Sequence, residues 1–277
     1  MAKRRRLTTA KSIAQRIKEG RGAGEGAEYK PWLTIQDVPS RGRCHRIKGW
    51  RHGRVHHLLS DLEAYVFYVY EWTRSVIDIR EQYPLLPLEE TLWIAERMGV
   101  RHPTDPVTRH PVIMTTDFFL TISRGLQRLY LPRTVKYLNE LSKPRSLEKL
   151  EIERRYWDAR SKKLYPVTEF GLPMQLVHNV RWVHRHHHPS ELQPLTEHDI
   201  DVIATFLTRA VLEADAPLRT LTSACDRKLG LDEGTSLAVV RHLLASRRWE
   251  VDMTKRIHPD ERLTLIKTSN VKLLTDD

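Results

Sequence analysis

Two neighbouring stretches decide how this chain folds: Val112-Ile113-Met114-Thr115-Thr116-Asp117-Phe118-Phe119-Leu120-Thr121-Ile122 and Leu129-Tyr130-Leu131-Pro132-Arg133-Thr134-Val135-Lys136-Tyr137. Both are dense in β-branched and aromatic residues, which suit a pleated, half-buried surface. The break around Ser123-Arg124-Gly125 predicts a turn, so the two segments read as consecutive strands. Asp117 then sits on the first strand and Thr134-Val135-Lys136 on the second.

Working outward, Leu58 to Tyr70 places apolar residues at 58, 59, 62, 65, 66 and 69, a helical spacing, and carries Glu63. A carboxylate on a helix, a second on a strand and an ammonium on its neighbour can converge at a sheet edge. Two carboxylates there would hold Mg²⁺ through hard oxygens. Lys136 would stabilise charge developing on a phosphate, or orient the attacking water. The residues alone leave a second reading open. In a chain with 29% charged residues, Asp117 and Lys136 would also suit a half-exposed cross-strand ion pair worth a few tenths of a kcal/mol.

Charge is unevenly placed along the 277 residues, whose formal net charge is +11. Residues 1–60 hold 15 Lys and Arg against 4 Asp and Glu, while the remainder holds 31 of each. The whole excess therefore precedes Glu63, which points to an anionic polymer bound beside the proposed site. Arg41, Arg43, Arg46, Lys48, Arg51 and Arg54 are the expected phosphate contacts. Trp32, Leu33, Ile35, Val38, Ile47 and Trp50 are interleaved with the charges, which favours nucleic acid over a merely solvated arm.

No run of 18 apolar residues is present, so no transmembrane helix and no membrane partner are expected. The basic start, Met1 to Leu7, lacks the apolar segment of a secretory signal. Cys44 and Cys225, without a Cys-x-x-Cys, suggest a reducing, cytoplasmic setting.

Further elements follow from pattern. Residues 9–19 predict a helix, and the glycine-rich run from Gly20 to Gly26 a flexible loop, since no Gly-Lys-Ser/Thr ends it as in a phosphate cradle. A strand is expected over 76–83, a helix over 92–99, a helix over 146–157 capped by Ser146, a strand over 164–169 and a helix over 175–184. This order suits a mixed-sheet α/β domain over 1–188. His184 to Pro189 reads as an interdomain linker: adjacent histidines lack the helical spacing of a zinc pair, and no cysteine is close. Beyond it, helices over 197–213, 217–229 and 233–247 precede strands over 249–253 and 262–267. Three helices and a two-stranded wing describe a winged-helix domain over 189–277. Its third helix would present Arg241, His242, Arg247 and Arg248. Balanced charge leaves groove recognition and protein docking both open.

Several segments carry a resemblance: Arg16-Ile17-Lys18-Glu19-Gly20-Arg21-Gly22, Pro31-Trp32-Leu33-Thr34, Val55 through Glu63, Asp78-Ile79-Arg80-Glu81-Gln82, and Leu147 through Trp157. Together they closely resemble the TnsA family, the endonuclease subunits of heteromeric cut-and-paste transposases, over about residues 10–185. The resemblance implies a restriction-endonuclease-like catalytic domain followed by a winged helix. It implies cleavage of the 5′ strands of double-stranded DNA at transposon ends, with a DDE recombinase (TnsB) and an AAA+ regulator (TnsC) as partners. Mg²⁺, or Mn²⁺ in its place, is the implied cofactor. Carried over by motif, Glu63 and Asp117 are the metal-binding acids, Lys136 the catalytic lysine, Val135 a carbonyl ligand and Glu153 a nearby acid. Thr134 stands where the family has glutamine and can still bond a metal-bound water. The alternatives are a stand-alone restriction or repair nuclease, and a non-catalytic DNA-binding adaptor.

Overall fold

The computed structural model describes residues 7–38 and 43–268. The chain divides between Leu172 and Pro173 into two compact units.

In the first unit, helix α1 (Ala10–Lys18) starts at a Thr9–Ser12 capping box. A hairpin of β1 (His45–Lys48) and β2 (Val55–Leu58) leads into α2 (Asp61–Trp72). Then come β3 (Val76–Pro84), α3 (Leu88–Arg97), β4 (Thr115–Arg124), β5 (Gln127–Val135), the short α4 (Leu138–Leu141), α5 (Pro144–Asp158) and β6 (Tyr165–Val167). The main sheet runs β3-β4-β5-β6, antiparallel except for the parallel β5–β6 pair, so the expected mixed sheet is present. Gly125, at φ +63°, lets a two-residue turn join Arg124 to Gln127.

Adjacent strand residues face opposite ways, and β4 uses this to hold a helix on each side. Phe118 meets Tyr70 of α2 edge-on at 5.5 Å, whereas Phe119 stacks on Trp157 of α5 at 4.8 Å. Around Phe119 and Trp157 lie Leu85, Ile94, Ile152, Tyr156 and Leu164. Trp157 also donates its indole N–H to Thr116 Oγ1 at 2.7 Å, which fixes α5 against the strand.

Besides a register shift between Val76 and Asp78, the β3–β4 ladder is open at one rung near the site. Glu81 pairs with Phe118 and Tyr83 with Thr116, but between them Gln82 and Asp117 do not pair. Gln82 has φ +49°, a left-handed conformation costing a non-glycine residue roughly 1–3 kcal/mol. Its effect is visible on the sheet face: Arg80 and Tyr83 both reach the Phe119 ring, an odd spacing that a regular pleat would separate.

Two of the basic residues expected on DNA are committed to the fold instead. The Arg54 guanidinium forks onto Glu81, Nη1 to Oε1 and Nη2 to Oε2, both at 2.7 Å, and His56 Nδ1 joins Oε2 at 2.8 Å. Burial opposes the Glu81 charge, but His56 and Arg54 overcome it and hold the carboxyl well below the usual range. Arg51 bonds Glu71 at 2.8 Å and the carbonyls of Tyr70, Glu71 and Thr73, closing the C-terminal end of α2. Trp32 and Trp50 are likewise core residues, at 1% and 7% exposure.

The glycine-rich run is a packed segment rather than a loose loop. A Cβ on Gly22 would fall 2.2 Å from Pro84 Cγ, and one on Gly24 2.6 Å from the Glu28 carbonyl. Boundaries shift elsewhere for local reasons. Pro144 occupies the first turn of α5, where its missing N–H costs nothing, so Lys143 rather than Ser146 is the cap residue. Helix α3 starts at Leu88, ahead of the expected 92.

The second unit opens with α6 (Met174–Val183), two short 3₁₀ turns (His184–His186 and Pro189–Leu192), then α7 (Glu197–Glu213), α8 (Leu218–Leu229) and α9 (Thr235–Ala245). A minimal ladder of β7 (Trp249–Glu250) and β8 (Lys267–Thr268) closes it, shorter than the expected strands. The histidine run lies inside this unit rather than linking two domains at 188/189. His242 Nδ1 meets the His186 carbonyl at 2.8 Å, and Asn179 Nδ2 donates to the carbonyls of Met253 (3.0 Å) and Lys255 (2.6 Å). Helix α9 is a core helix: Val239, Val240, His242, Leu243 and Leu244 are buried, Arg241 lies over Trp182 at 4.7 Å, and Arg248 pairs with Asp201 at 2.8 Å. No helix among the described residues is long and apolar enough to cross a membrane.

Breaking the pair at Glu81 leaves a buried guanidinium without its counter-charge. Glu81→Ala should therefore lower unfolding free energy by about 3–5 kcal/mol in chemical denaturation. A loss below about 1 kcal/mol would mean that Arg54 re-solvates freely.

Candidate active site

Glu63 occupies the first turn of α2, where the helix dipole favours negative charge. The Ser60 hydroxyl caps the helix by accepting from Glu63 N–H at 3.1 Å, and donates back to Glu63 Oε1 at 3.1 Å. Glu63 Oε2 accepts from Leu59 N–H at 2.9 Å and from Gln82 Nε2 at 3.3 Å. Despite these donors, burial and then the charge of Asp117 push the carboxyl up to about 7.

Asp117 is the shared acceptor of the site. Its Oδ2 takes the Val135 N–H at 2.6 Å, the Lys136 ammonium at 2.8 Å and the Thr134 hydroxyl at 3.1 Å. No donor among the described residues reaches Oδ1. Lys136 lies just past the end of β5 and also donates to the Val135 carbonyl at 3.0 Å. Burial opposes its charge, but Asp117, Glu153 and Glu63 outweigh that and raise it, so it remains an ammonium.

Glu153 arrives from α5. Thr116 donates its hydroxyl to Glu153 Oε1 at 2.7 Å, and burial followed by the Asp117 charge pushes the carboxyl up to about 8. The structure thus gathers Glu63, Asp117, Thr134, Val135, Lys136 and Glu153 in one electrostatically coupled group. The cross-strand Asp117–Lys136 ion pair also exists, built from the same two side chains.

The donor chemistry suits a hard divalent cation: two carboxylates that repel each other, and a backbone carbonyl. Glu153 is engaged with Thr116 and the Thr134 hydroxyl with Asp117. Among the described residues no three His, Cys, Asp or Glu side chains converge as a ready metal cage. Sequence reasoning missed Gln82, which is 2% exposed and hydrogen-bonded to Glu63. Its only signal was its place in the Asp78–Gln82 segment.

Of the remaining basic candidates, Arg43, Arg46 and Lys48 are exposed, the last two alternating outward along β1. Arg41 lies outside the described residues. Exposed Lys18 and Lys30 line an open cleft with Tyr29, Thr34 and His57.

Comparison with known proteins places this geometry. Residues 73–169 match the model of the TnsA-like endonuclease N terminal, and residues 172–253 match that of the TnsA endonuclease C terminal. Over 184 residues the chain is 45% identical to the transposon Tn7 transposition protein TnsA of Escherichia coli, spanning 66% of each chain. The two matched regions meet where the two units divide.

The raised carboxyls have a thermodynamic consequence. A group whose folded value is raised stabilises the fold below its unfolded value, and that contribution is lost as pH climbs through the folded one. With Glu63 raised from 4.5 to about 7 and Glu153 from 4.5 to about 8, the metal-free protein should lose thermal stability across that window. Asp117→Asn removes a charge that raises both, so the decline should flatten. Melting curves in chelator across a pH series test this, and an equally steep decline in the variant would contradict the coupling.

Proposed function

The chain belongs to the TnsA endonuclease family, and we propose that it is the subunit of a heteromeric transposase that cuts the 5′ strands at the ends of its element. The observation that carries this is the grouping of buried Glu63 and Asp117 with the half-buried Lys136 at the junction of α2, β4 and β5. We read the mixed sheet, with an acid and a lysine at neighbouring strands and a further acid on the preceding helix, as a restriction-endonuclease-like arrangement.

Mg²⁺, or Mn²⁺, would be held by the Glu63 and Asp117 carboxylates and the Val135 carbonyl, and would polarise the scissile phosphate and acidify a bound water. Glu63 and Asp117 supply the negative charge that selects a cation. Lys136 stays protonated, so it cannot serve as general base at neutral pH. Its ammonium stabilises charge on the phosphate or orients the attacking water. Thr134 fixes Asp117 through its hydroxyl, a different task from bonding a metal-bound water directly.

Double-stranded DNA at transposon ends is the proposed substrate, with Arg43, Arg46 and Lys48 as phosphate contacts. A DDE recombinase of the TnsB type and an AAA+ regulator of the TnsC type are the proposed partners. We also read three helices and a short ladder in the second unit as a winged helix. Arg241 lies over Trp182, His242 is buried and Arg248 pairs with Asp201, which favours protein docking over groove reading.

Glu63→Ala or Asp117→Ala should abolish 5′-strand cleavage on transposon-end DNA reconstituted with the recombinase, read on strand-resolved gels, because each removes an oxygen ligand. Near-normal cutting by either would remove that residue from the site. Lys136→Ala should lower cleavage by about 10²-fold or more while leaving calorimetric Mg²⁺ binding in place. Reversing Arg43 and Arg46 to Glu should weaken binding to unrelated duplexes alike and reduce the salt slope by about 2. An unchanged slope would place the DNA path elsewhere.

A further inference from the structure

Gln82 is the one residue at this site whose backbone conformation is unfavourable and whose side chain has no place in the hydrolysis described above. It is buried, it has φ +49° within β3, and the ladder to β4 is open where it faces Asp117. Glycine would adopt this backbone without strain. A glutamine kept there implies that its amide performs a task. The amide is oriented at both ends: Oε1 accepts from the Thr115 hydroxyl at 3.0 Å, and Nε2 donates to Glu63 Oε2 at 3.3 Å. The backbone is tethered as well, since the Gln82 carbonyl accepts from Trp32 N–H at 3.2 Å.

We infer that Gln82 is a positioning residue for the Glu63 carboxylate: its left-handed backbone at the open rung delivers a neutral amide that orients Glu63 toward the cation. The neutrality matters. Lysine or arginine at this point would orient the carboxylate but also neutralise it and compete with the cation. Glutamate would add a third negative charge beside Glu63 and Asp117 and lose the donor. Asparagine tolerates the left-handed region best among side chains but is one carbon short. The amide is therefore the group that holds Glu63 and leaves its charge available.

This inference rests on Glu63 being a metal ligand, and the experiment separates the two. Mn²⁺ binding to the full-length protein would be measured by calorimetry for wild type, Glu63→Ala, Gln82→Gly, Gln82→Ala and Gln82→Asn, with melting temperatures alongside. Outer-shell partners of metal ligands typically contribute about 10–100-fold in affinity or activity. Gln82→Gly and Gln82→Ala should both weaken Mn²⁺ by that factor, with Gln82→Asn intermediate. Gln82→Gly should nevertheless melt higher than Gln82→Ala, because glycine relieves the strained φ. Affinity would then follow the amide and stability the backbone. Two results overturn the inference: wild-type Mn²⁺ affinity in Gln82→Gly while Glu63→Ala has lost it, or affinities that follow the melting temperatures. Wild-type affinity in Glu63→Ala would instead overturn the underlying metal assignment.

Discussion

Where Gln82 faces Asp117 one rung of the β3–β4 ladder is open, with paired residues on either side, and the site is arranged around that opening. On one strand the irregular backbone brings Arg80 and Tyr83 to the same ring, Phe119. On the other, Thr116 and Phe119 both meet Trp157, again three residues apart. A regular pleat would place each of these pairs on opposite faces. The break is sustained by packing: the Phe119–Trp157 stack and the Thr116–Trp157 hydrogen bond hold α5 against the distorted strand. Strain at one residue persists because its surroundings determine the geometry more strongly than the local preference does. Its product is a pair of polar side chains, Gln82 and Asp117, released from ladder geometry at the edge where α2 and the end of β5 arrive.

Asp117 then acts as the electrostatic hub. It accepts from the Val135 backbone, the Thr134 hydroxyl and the Lys136 ammonium through one oxygen. It is also a named cause of the upward push on Glu63 and on Glu153. Three acids and one ammonium placed together leave an excess of negative charge, and burial followed by the Asp117 charge pushes Glu63 up to about 7 and Glu153 up to about 8. The divalent cation proposed for this site would offset the same excess without protons. Lys136 supplies part of the balancing charge through its ion pair with Asp117.

Much of this was legible in the sequence. Helical spacing placed Glu63, and β-branched runs placed Asp117 and the Thr134–Lys136 segment, because each pattern reports burial of one face. What stayed hidden depends on tertiary context. Arg51 and Arg54 look like DNA contacts in a charge count, which has no knowledge that Glu71 and Glu81 approach from other elements. The glycine run looks loose until Pro84 is seen 2.2 Å from where a Gly22 side chain would begin. A glutamine within an apolar-alternating strand carries no sign of a left-handed backbone. The histidine run was read through what it lacked, zinc spacing, whereas its place follows from the contact of His186 with His242 far along the chain.

The internal arginines also change what the net charge means. Arg16 and Arg21 reach Asp37 at 3.5 and 2.7 Å, Arg51 reaches Glu71, and Arg54 reaches Glu81. The first two pairs close within the N-terminal segment, Arg51 ties it to α2 and Arg54 to β3, and all four cations are already neutralised at short range. A phosphate contact releases counterions only where a cation faces solvent before DNA arrives. The excess over residues 1–60 therefore overstates the number of phosphates this segment can neutralise. Among the described residues of this segment, the cations that face solvent include Lys18, Lys30, Arg43 and Arg46.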